Sequence, residues 1–346
     1  MLKVGIIGLG NIGMDAHHKA YLKIAAENGP VEVVAVCDEV QARLDEVADK
    51  NYRTYLSIDE MLEAEQGKLD YIDICLPTYL HAEIAIKAME MGYNVLSEKP
   101  MALNPEQCQA MIDAQKKTGK LLMIAYCNRF YRGAQIVKSV IESGELGKPL
   151  YAEFRRMGGG GRPTGRNKNN WFWNKDLSGG AMLDLHIHDV DMIRWMFGMP
   201  NAVSVAATAG DDTPNVGYDI MSANYMYDNN MFVNAMCCWG GPARGEYDSR
   251  VIHVNFEHGF IRFERTKNRQ AFVKSIQLPG KPTETVEYPD AIGFAAYEGE
   301  ILYFCDCLKS GKKPVCDMPE ESIDSVKMVM AEMESADKNG ERVALK

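Results

Sequence analysis

The chain has 346 residues, of which 46% are hydrophobic and 25% are charged, as is typical of a globular protein with two domains. Its formal net charge of −10 disfavours a nucleic-acid partner, because such proteins need a basic face to neutralise phosphates. No run approaches the roughly 20 apolar residues of a membrane span, and the first residues lack the layout of a signal peptide. The nine cysteines follow neither disulfide nor zinc spacing, so we expect a cytoplasmic protein with reduced thiols and no membrane partner.

Short apolar runs alternate with helical patterns over the first 126 residues. A helix is predicted at about 12–28, another from Ser57 with a capping box to Glu60, and a third from Asn104 to near Gly119. This order predicts a Rossmann-type, doubly wound parallel sheet with helices on both faces, and we assign residues 1–126 to a first domain. The predicted strands are 2–7, 32–37, 71–76, 94–97 and 120–126.

A second pattern begins after about residue 146, with strand-like runs that follow one another through hairpin turns. It predicts an α/β domain over residues 127–346, with a large, mostly antiparallel open sheet and helices on one face. The glycine-rich stretch 158–165 is expected to be a mobile loop. Strands are predicted at 149–157, 202–209, 218–227, 231–239, 250–256, 259–265 and 271–277, and helices at about 180–197, 295–309 and 320–337.

A glycine motif joins the first strand to the first helix. The three glycines serve a tight turn, a close approach of backbone to a pyrophosphate, and close helix–strand packing. A strand before the motif and a helix after it favour a dinucleotide site over an unliganded glycine turn. The predicted cofactor contacts here are Gly8, Gly10, Asn11, Ile12 and Gly13.

Asp38 ends the second predicted strand, 25 residues after Gly13. An acid at this position hydrogen-bonds the adenosine ribose hydroxyls and repels a 2′-phosphate. No arginine follows within three residues to receive that phosphate. The sequence therefore favours NAD over NADP, although Asp38 could also be a solvated acid at a strand end.

Two further segments end strands at the carboxyl edge, where doubly wound sheets bind ligands. Leu76 and Pro77 follow the third strand, and His81 near the start of the next helix either faces the dinucleotide or is an ordinary surface histidine. Glu98 and Lys99 follow another strand, beside Pro100, which fixes the backbone there and can do so through a cis bond. A lysine beside the nicotinamide can stabilise an oxygen that becomes alkoxide-like, so Lys99 is a catalytic candidate as well as a cofactor contact.

Asp184 and His188 lie four positions apart in a predicted helix and share a face, which Asp191 roughly continues. Histidine is the natural general base near neutral pH, and an alcohol that loses a hydride must also lose its hydroxyl proton. Two alternatives remain open at this point. The pair could simply stabilise the helix, or Asp184, His186, His188 and Asp191 could ligate a metal, which helical geometry disfavours because the two histidines then point apart.

Polar and aromatic residues elsewhere are candidates for substrate or cofactor contacts. Asn128 and Arg129 follow the last strand of the first domain and could orient nicotinamide or substrate, or form an interdomain ion pair or hydrogen bond. Trp171 and Trp173 could pack against sugar rings or belong to the core.

Together these motifs, in this order, resemble the glucose–fructose oxidoreductase, inositol dehydrogenase and MocA (Gfo/Idh/MocA) family. The resemblance covers essentially the whole chain and implies a Rossmann domain, a C-terminal α/β domain whose open sheet is often buried in dimers or tetramers, and oxidation or reduction of a sugar or polyol. It implies that Lys99 is the substrate-binding catalytic lysine, His188 the acid/base and Asp184 its substrate-binding partner. His186 replaces the Gly or Thr of many members, so we include it among the substrate contacts.

The sequence thus predicts an NAD-dependent dehydrogenase that acts on CH–OH groups of a sugar, sugar derivative or cyclitol, assembled as a homodimer or homotetramer, with no metal. Two alternatives remain. One is a glycoside-cleaving enzyme that oxidises its substrate transiently on bound NAD before elimination. The other is a non-enzymatic NAD sensor, against which the presence of Lys99, Asp184 and His188 together argues.

Overall fold

Parallel strands and intervening helices form the first part of the chain in this computed structural model, which describes residues 1–158, 171–209, 215, 217–239, 249–266, 268–291 and 296–345. The sheet has the order β3-β2-β1-β4-β5-β6. The strands are β1 (Leu2–Ile7), β2 (Val31–Cys37), β3 (Arg53–Tyr55), β4 (Tyr71–Ile74), β5 (Asn94–Glu98) and β6 (Leu122–Ala125). The helices are α1 (Lys19–Ala26), α2 (Gln41–Asp45), α3 (Ile58–Ala64), α4 (Thr78–Glu90) and α5 (Pro105–Thr118).

The rest of the described chain forms a second sheet with the order β14-β13-β12-β11-β7-β10-β9-β8-β15, in which β7 and β10 pair in parallel and the other pairs are antiparallel. Its strands are β7 (Pro149–Met157), β8 (Ala202–Thr208), β9 (Ile220–Met226), β10 (Phe232–Cys238), β11 (Ser249–Phe256), β12 (Gly259–Thr266), β13 (Gln270–Ile276), β14 (Glu284–Glu287) and β15 (Val343–Ala344). The helices that follow α5 in the chain are α6 (Arg132–Ser143), α7 (Lys175–Ser178), α8 (Ile187–Phe197), α9 (Tyr297–Ser310) and α10 (Pro319–Asp337). Two sheets of these types confirm the predicted fold class.

The described residues divide into two compact units. The first contains residues 1–127, Trp171 and residues 296–323, so α9 joins the Rossmann sheet although it lies far away in sequence. Ile301 and Phe304 of α9 are fully buried in the same core as Val36 of β2 and Leu96 of β5. The second unit contains the remaining described residues. The division at residue 126 into two functional domains stays a prediction.

The alternation of buried and accessible side chains explains which face of the second sheet packs against helices. Phe154 of β7 and Val233 and Ala235 of β10 are buried, and α8 lies against these two strands. The intervening residues of β10 face the other way and are half-exposed, and Phe232 is 47% exposed. A strand with one buried and one accessible face is the pattern expected of an antiparallel sheet covered by helices on one side.

Local signals identified two helix N-caps and one hairpin turn. The side chains of Ser57 and Asn104 accept hydrogen bonds from the backbone N–H groups of Glu60 and Gln107, so both predicted N-caps are confirmed. Gly259 has a φ of 144°, and a Cβ there would lie 1.9 Å from the Ser275 carbonyl oxygen, so the predicted hairpin before β12 requires glycine.

Two helices differ from prediction because each begins with a wider, π-helical turn. The helix expected at 12–28 consists of a π-helical segment, Gly13–His18, followed by α1. The helix expected at 180–197 begins with a second one, Met182–His186, which leads into α8. Such turns recur at functional sites. The strands β3, β14 and β15 were missed, since they are short and lie at or beside sheet edges.

Residues 159–165 of the predicted glycine-rich loop lie outside the described residues. Among the helices that are described, none is both long enough and apolar enough to span a bilayer. All nine cysteines are present as thiols, and most are buried.

Candidate functional site

The glycine turn after β1 leaves open space at one position and close packing at the other two. Gly8 has a φ of 97°, and a Cβ on it would lie 2.5 Å from the carbonyl oxygen of Cys75. A Cβ on Gly13 would lie 1.9 Å from the carbonyl oxygen of Gly8, whereas one on Gly10 would meet nothing within 4 Å. The turn is therefore held tightly at its ends and open at Gly10, as a backbone cradle for a phosphate group requires.

Asp38 lies beside this turn, immediately after β2. Its Oδ2 accepts the backbone N–H of Leu9 at 2.8 Å, and its Oδ1 accepts that of Val40 at 2.9 Å. Arg43 also contacts this carboxylate, with Nη1 3.0 Å from Oδ2, and lies beyond the three positions after Asp38 that the sequence shows to be free of arginine. Asp38 is thus fixed next to the cradle, at the end of β2 where an adenosine ribose would lie.

His81 connects the segments that follow β4 and β5. It is 1% exposed, with Nδ1 2.8 Å from the carbonyl oxygen of Pro100 and Nε2 2.8 Å from that of Leu76. Burial lowers the pKa of His81, more than its carbonyl contacts raise it, and a neutral ring donates to one of these carbonyls at a time. The predicted cofactor contact of His81 is therefore replaced by a structural role, because both ring nitrogens face backbone.

Lys99 follows β5 and is half-buried, and its bond to Pro100 is cis, as the sequence suggested. The backbone N–H of Lys99 donates to Oε2 of Glu98 at 3.0 Å. Oε1 of Glu98 lies 2.9 Å from Nε2 of His17. Both carboxylate oxygens of Glu98 are thus held by the protein, which makes Glu98 a support for the backbone of Lys99, and its contact with the cofactor stays a prediction.

His17 is the residue at this edge of the sheet that the sequence analysis missed. It is fully buried, and its Nδ1 lies 2.8 Å from Oδ2 of Asp73, an acid inside the otherwise apolar strand β4. Oδ2 of Asp73 also accepts the hydroxyl of Tyr21 at 2.8 Å. The signal was present in the sequence, because a buried acid in an apolar strand needs a hydrogen-bonding partner.

In the second unit, Asp184 and His188 lie on the two parts of one helix. Asp184 belongs to the π-helical turn and is 8% exposed, whereas His188 is half-buried in the first turn of α8. Their spacing of about one turn places both on similar sides of the helix. Gly179, just before it, has a φ of 78°, and a Cβ there would collide with Leu183, so the chain enters the helix tightly.

Arg129 forms a buried ion pair within the second unit. Its Nε and Nη2 donate to the two carboxylate oxygens of Asp191 at 2.8 and 2.6 Å, and the Ser325 hydroxyl donates to Oδ1 at 3.1 Å. Arg129 is 1% exposed, and its contact with nicotinamide or substrate stays a prediction. The pair joins two residues of one unit and is not interdomain.

His186 is also turned into the protein. It is fully buried, with Nε2 3.1 Å from Oε1 of Glu332 on α10, which also accepts the hydroxyl of Tyr225 at 2.5 Å. The predicted substrate contact of His186 is therefore replaced by a link between helix and sheet. Of the four residues considered as alternative metal ligands, His186 therefore faces Glu332 and Asp191 faces Arg129.

The aromatic candidates divide between the units. Trp173 stacks on Trp239 with ring centroids 5.4 Å apart and planes at 4°, and Phe172 lies edge-on to Trp239. Trp171 belongs to the first unit. Contacts of Trp171 and Trp173 with substrate, and of Asn11, Ile12, Leu76, Pro77 and Asn128 with cofactor, stay predictions, although Asn11, Leu76, Pro77 and Asn128 are partly accessible and Ile12 is 41% exposed.

Comparison with known proteins identifies relatives of both parts of the chain. The E. coli K12 D-glucoside 3-dehydrogenase is 31% identical over 209 residues, covering 60% of this chain and 57% of that protein. The Bacillus subtilis 168 scyllo-inositol 2-dehydrogenase (NAD(+)) is 29% identical over 338 residues, covering 91% and 88%. This chain therefore aligns with less than two thirds of the first of these relatives and with most of the second.

The fold is shared with the WlbA dehydrogenase from Bordetella pertussis, whose crystal structure contains NADH and UDP-GlcNAcA. The TM-score is 0.82 over 100% of this chain and 98% of that one, at 22% sequence identity. Residues 2–126 match the model of an oxidoreductase family with an NAD-binding Rossmann fold, and residues 134–262 match the GFO/IDH/MocA C-terminal domain. Because both models match in this order on the two sheets described, the chain belongs to the Gfo/Idh/MocA oxidoreductase family.

Proposed function

We propose that the protein is an NAD-dependent oxidoreductase that transfers a hydride between the nicotinamide and a secondary hydroxyl or keto carbon of a sugar, sugar derivative or cyclitol. The observation that carries this proposal is the turn after β1, open at Gly10 and flanked by the fixed carboxylate of Asp38. The family membership and the relatives named for glucoside and inositol support the substrate class.

The residues present fit the dinucleotide. The backbone around Gly10 would hold the pyrophosphate, and the carboxylate of Asp38 at the end of β2 would receive the adenosine ribose hydroxyls. Bound NAD supplies the hydride acceptor, and the chemistry of hydride transfer belongs to the cofactor.

Three side chains of the protein would serve the reacting carbon. His188 takes the hydroxyl proton as general base, Lys99 stabilises the growing negative charge on the oxygen, and Asp184 orients neighbouring ring hydroxyls. General acid–base assistance of this kind contributes roughly 10²–10⁴-fold to a rate. Arg129 and His186 have no place in this set, because both are buried against carboxylates of the second unit.

NAD is proposed over NADP because the carboxylate of Asp38 repels a 2′-phosphate. Arg43 already forms an ion pair with this carboxylate through Nη1. The Asp38→Ala variant should weaken NAD binding by about 10–100-fold, the range expected from losing hydrogen bonds to a charged group, and should narrow the preference over NADP. Titration of both dinucleotides against wild type and variant measures this, and an unchanged NAD/NADP ratio would contradict the assignment.

We also propose a cytoplasmic homodimer or homotetramer formed through the second sheet. Thiols that are mostly buried fit a reducing compartment. The accessible face of β7 and β10 carries Tyr151 and Phe232, whose rings lie 4.9 Å apart, and such an exposed aromatic pair is suited to contact with a second copy. Sedimentation equilibrium of wild type and Phe232→Glu tests this, since the variant should dissociate.

The purified protein should be tested with NAD against monosaccharides, inositols and glycosides, with absorbance at the nicotinamide band as the readout. We expect stoichiometric NADH from at least one sugar or cyclitol. Glycoside cleavage without NADH accumulation would favour the elimination alternative, and substrate-independent NAD binding alone would favour a sensor.

His188→Ala should lower kcat by about 10²–10⁴-fold and leave NADH affinity almost unchanged. His258→Ala, which alters a histidine in the turn between β11 and β12, is the matched control and should behave as wild type. Full activity of His188→Ala would remove His188 from the role of base.

A further inference from the structure

One imidazole and three carboxyl groups form a buried cluster in the first unit, next to the backbone of Lys99. We define the Asp73–His17–Glu98 bridge as the three residues in hydrogen-bond contact, Asp73 and Glu98 each accepting from one ring nitrogen of His17 at 2.8 and 2.9 Å. Each of the three is at most 5% exposed. Since two carboxylates accept from both nitrogens only when both carry protons, the bridge holds His17 as an imidazolium.

The charges of this cluster balance only with that imidazolium. His17 and Lys99 supply two positive charges against the two negative charges of Asp73 and Glu98. Glu300 of α9 is fully buried, 3.9 Å from Nε2 of His17, and burial raises its pKa well above the ordinary value, so it is a neutral acid. Burial lowers the pKa of His17, but the charge of Asp73 and the contacts beside it raise that pKa further, to well above its ordinary value.

The bridge reaches Lys99 through the second oxygen of Glu98. Oε2 accepts the backbone N–H of Lys99 at 3.0 Å while Oε1 is held by His17. Rotation of the Glu98 carboxylate would break both contacts at once. The imidazole of His17, on the π-helical segment after the glycine turn, therefore fixes the orientation of the Lys99 peptide through Glu98.

We propose that His17 is a positioning residue for hydride transfer, acting through Glu98 to hold Lys99 at the reacting oxygen and to compensate the buried carboxylates beside it. The inference rests on the proposed function, because it requires Lys99 to contact that oxygen. Misplacement of a catalytic group by about 1 Å costs about 10²-fold in rate, which sets the effect expected when the bridge is broken.

The matched pair Glu98→Gln and Glu300→Gln tests whether turnover depends on the hydrogen bonds of the bridge or only on a carboxyl group close to His17. Both replace a buried carboxyl group near the same nitrogen of His17 by an isosteric amide. Glutamine at 98 has one oxygen and cannot accept from both His17 and Lys99, so kcat should fall by about 10²-fold with KM little changed. Glutamine at 300 resembles the neutral acid and should leave kcat unchanged.

Asp73→Asn removes charge and keeps the acceptor, since Oδ2 alone receives His17 and Tyr21 in the wild type. This variant tests the bridge even if His17→Gln fails to fold. We expect a smaller fall in kcat and an alkaline limb of the pH profile displaced to lower pH, because His17 loses its proton more easily. The groups facing His17 are Asp73 of β4 and Cys75 just after it, Glu98 of β5 and Lys99 just after it, and Tyr297 and Glu300 of α9.

Two measurements need no substrate. Histidine ¹⁵N spectra of the seven histidines, assigned through His17→Gln, should show His17 as an imidazolium at neutral pH in wild type and in Glu300→Gln. Amide hydrogen exchange at Lys99 should accelerate in Glu98→Gln and stay slow in Glu300→Gln. A neutral His17 tautomer, or equal exchange in both variants, would overturn the proposal.

The outcomes also separate this inference from the proposed function. If the wild type forms no NADH with any sugar or cyclitol, the proposed function is rejected. The bridge is then tested by the histidine ¹⁵N spectra and the amide exchange alone. An active wild type whose Glu98→Gln and Asp73→Asn variants keep its kcat and pH profile rejects the bridge and leaves the function standing. Melting temperature and NADH binding of each variant serve as folding controls.

Discussion

Each unit contains a fully buried histidine on a π-helical turn that faces a carboxylate, yet the two are connected to different things. His17 lies between Asp73 and Glu98, and Glu98 holds the backbone of Lys99. His186 lies against Glu332 of α10, which also receives Tyr225 of β9. The first network ends at a candidate catalytic lysine, and the second ends in the packing of a helix against a sheet.

The two histidines show that burial and a raised pKa do not by themselves mark a functional residue. In both, burial lowers the pKa, but the charge of a facing carboxylate and its hydrogen bond raise it to well above the ordinary value. What differs is the next contact along the chain of hydrogen bonds. We therefore expect changes at His186 to reduce stability and changes around His17 to reduce turnover.

His186→Leu should produce the largest effect, a loss of about 3–5 kcal/mol in the free energy of unfolding, because it leaves Glu332 buried without its cation. Denaturant titration measures this loss. The kcat of the molecules that remain folded should match wild type. A stable variant with lowered kcat would give His186 the functional role that the comparison denies it.

Lys99→Met should lower kcat by about 10²–10³-fold, the range for removal of one group that stabilises a developing oxyanion. NADH affinity should stay close to that of wild type. Lys117→Met, at a surface lysine paired with Glu90, is the control and should be fully active. Equal turnover of the two variants would show that Lys99 is not catalytic, and the hydrogen bonds that run from His17 to Lys99 would then have no role in the reaction.

The pH dependence of stability should give a smaller effect. A histidine whose folded-state pKa is raised above 6.5 contributes stability that is complete below that pH and is lost as pH rises through the folded value. The free energy of unfolding should therefore fall on the alkaline side, by about 1.4 kcal/mol for each factor of ten by which folding strengthens proton binding to the imidazole. The fall should be less steep in His186→Leu, and identical slopes would contradict a charged His186.

Much of the fold could be predicted because most strands are short apolar runs bounded by turn residues. The strand at 149–157 was predicted at its observed bounds, and the turn at Gly259 followed from its glycine. The grouping of α9 with the Rossmann sheet could not be predicted in this way. It depends on long-range packing of Ile301 and Phe304, which no local pattern encodes.

The site could be predicted where the backbone geometry requires glycine, and less well where a role depends on the direction in which a side chain points. Gly8, Gly10 and Gly13 have the three environments expected of them. Arg129 and His186 were assigned to substrate because sequence shows a polar residue near a motif without showing its direction. Each faces a buried carboxylate.

The most direct test of the account follows the hydrogen itself. A substrate found by NADH formation would be labelled with deuterium on the carbon that bears the reacting hydroxyl, and the reduced dinucleotide would be analysed by mass spectrometry. We predict that the deuterium appears on the nicotinamide. Substrate consumption with the deuterium released to water, or retained in a product formed without reduced dinucleotide, would contradict hydride transfer as the reaction of this protein.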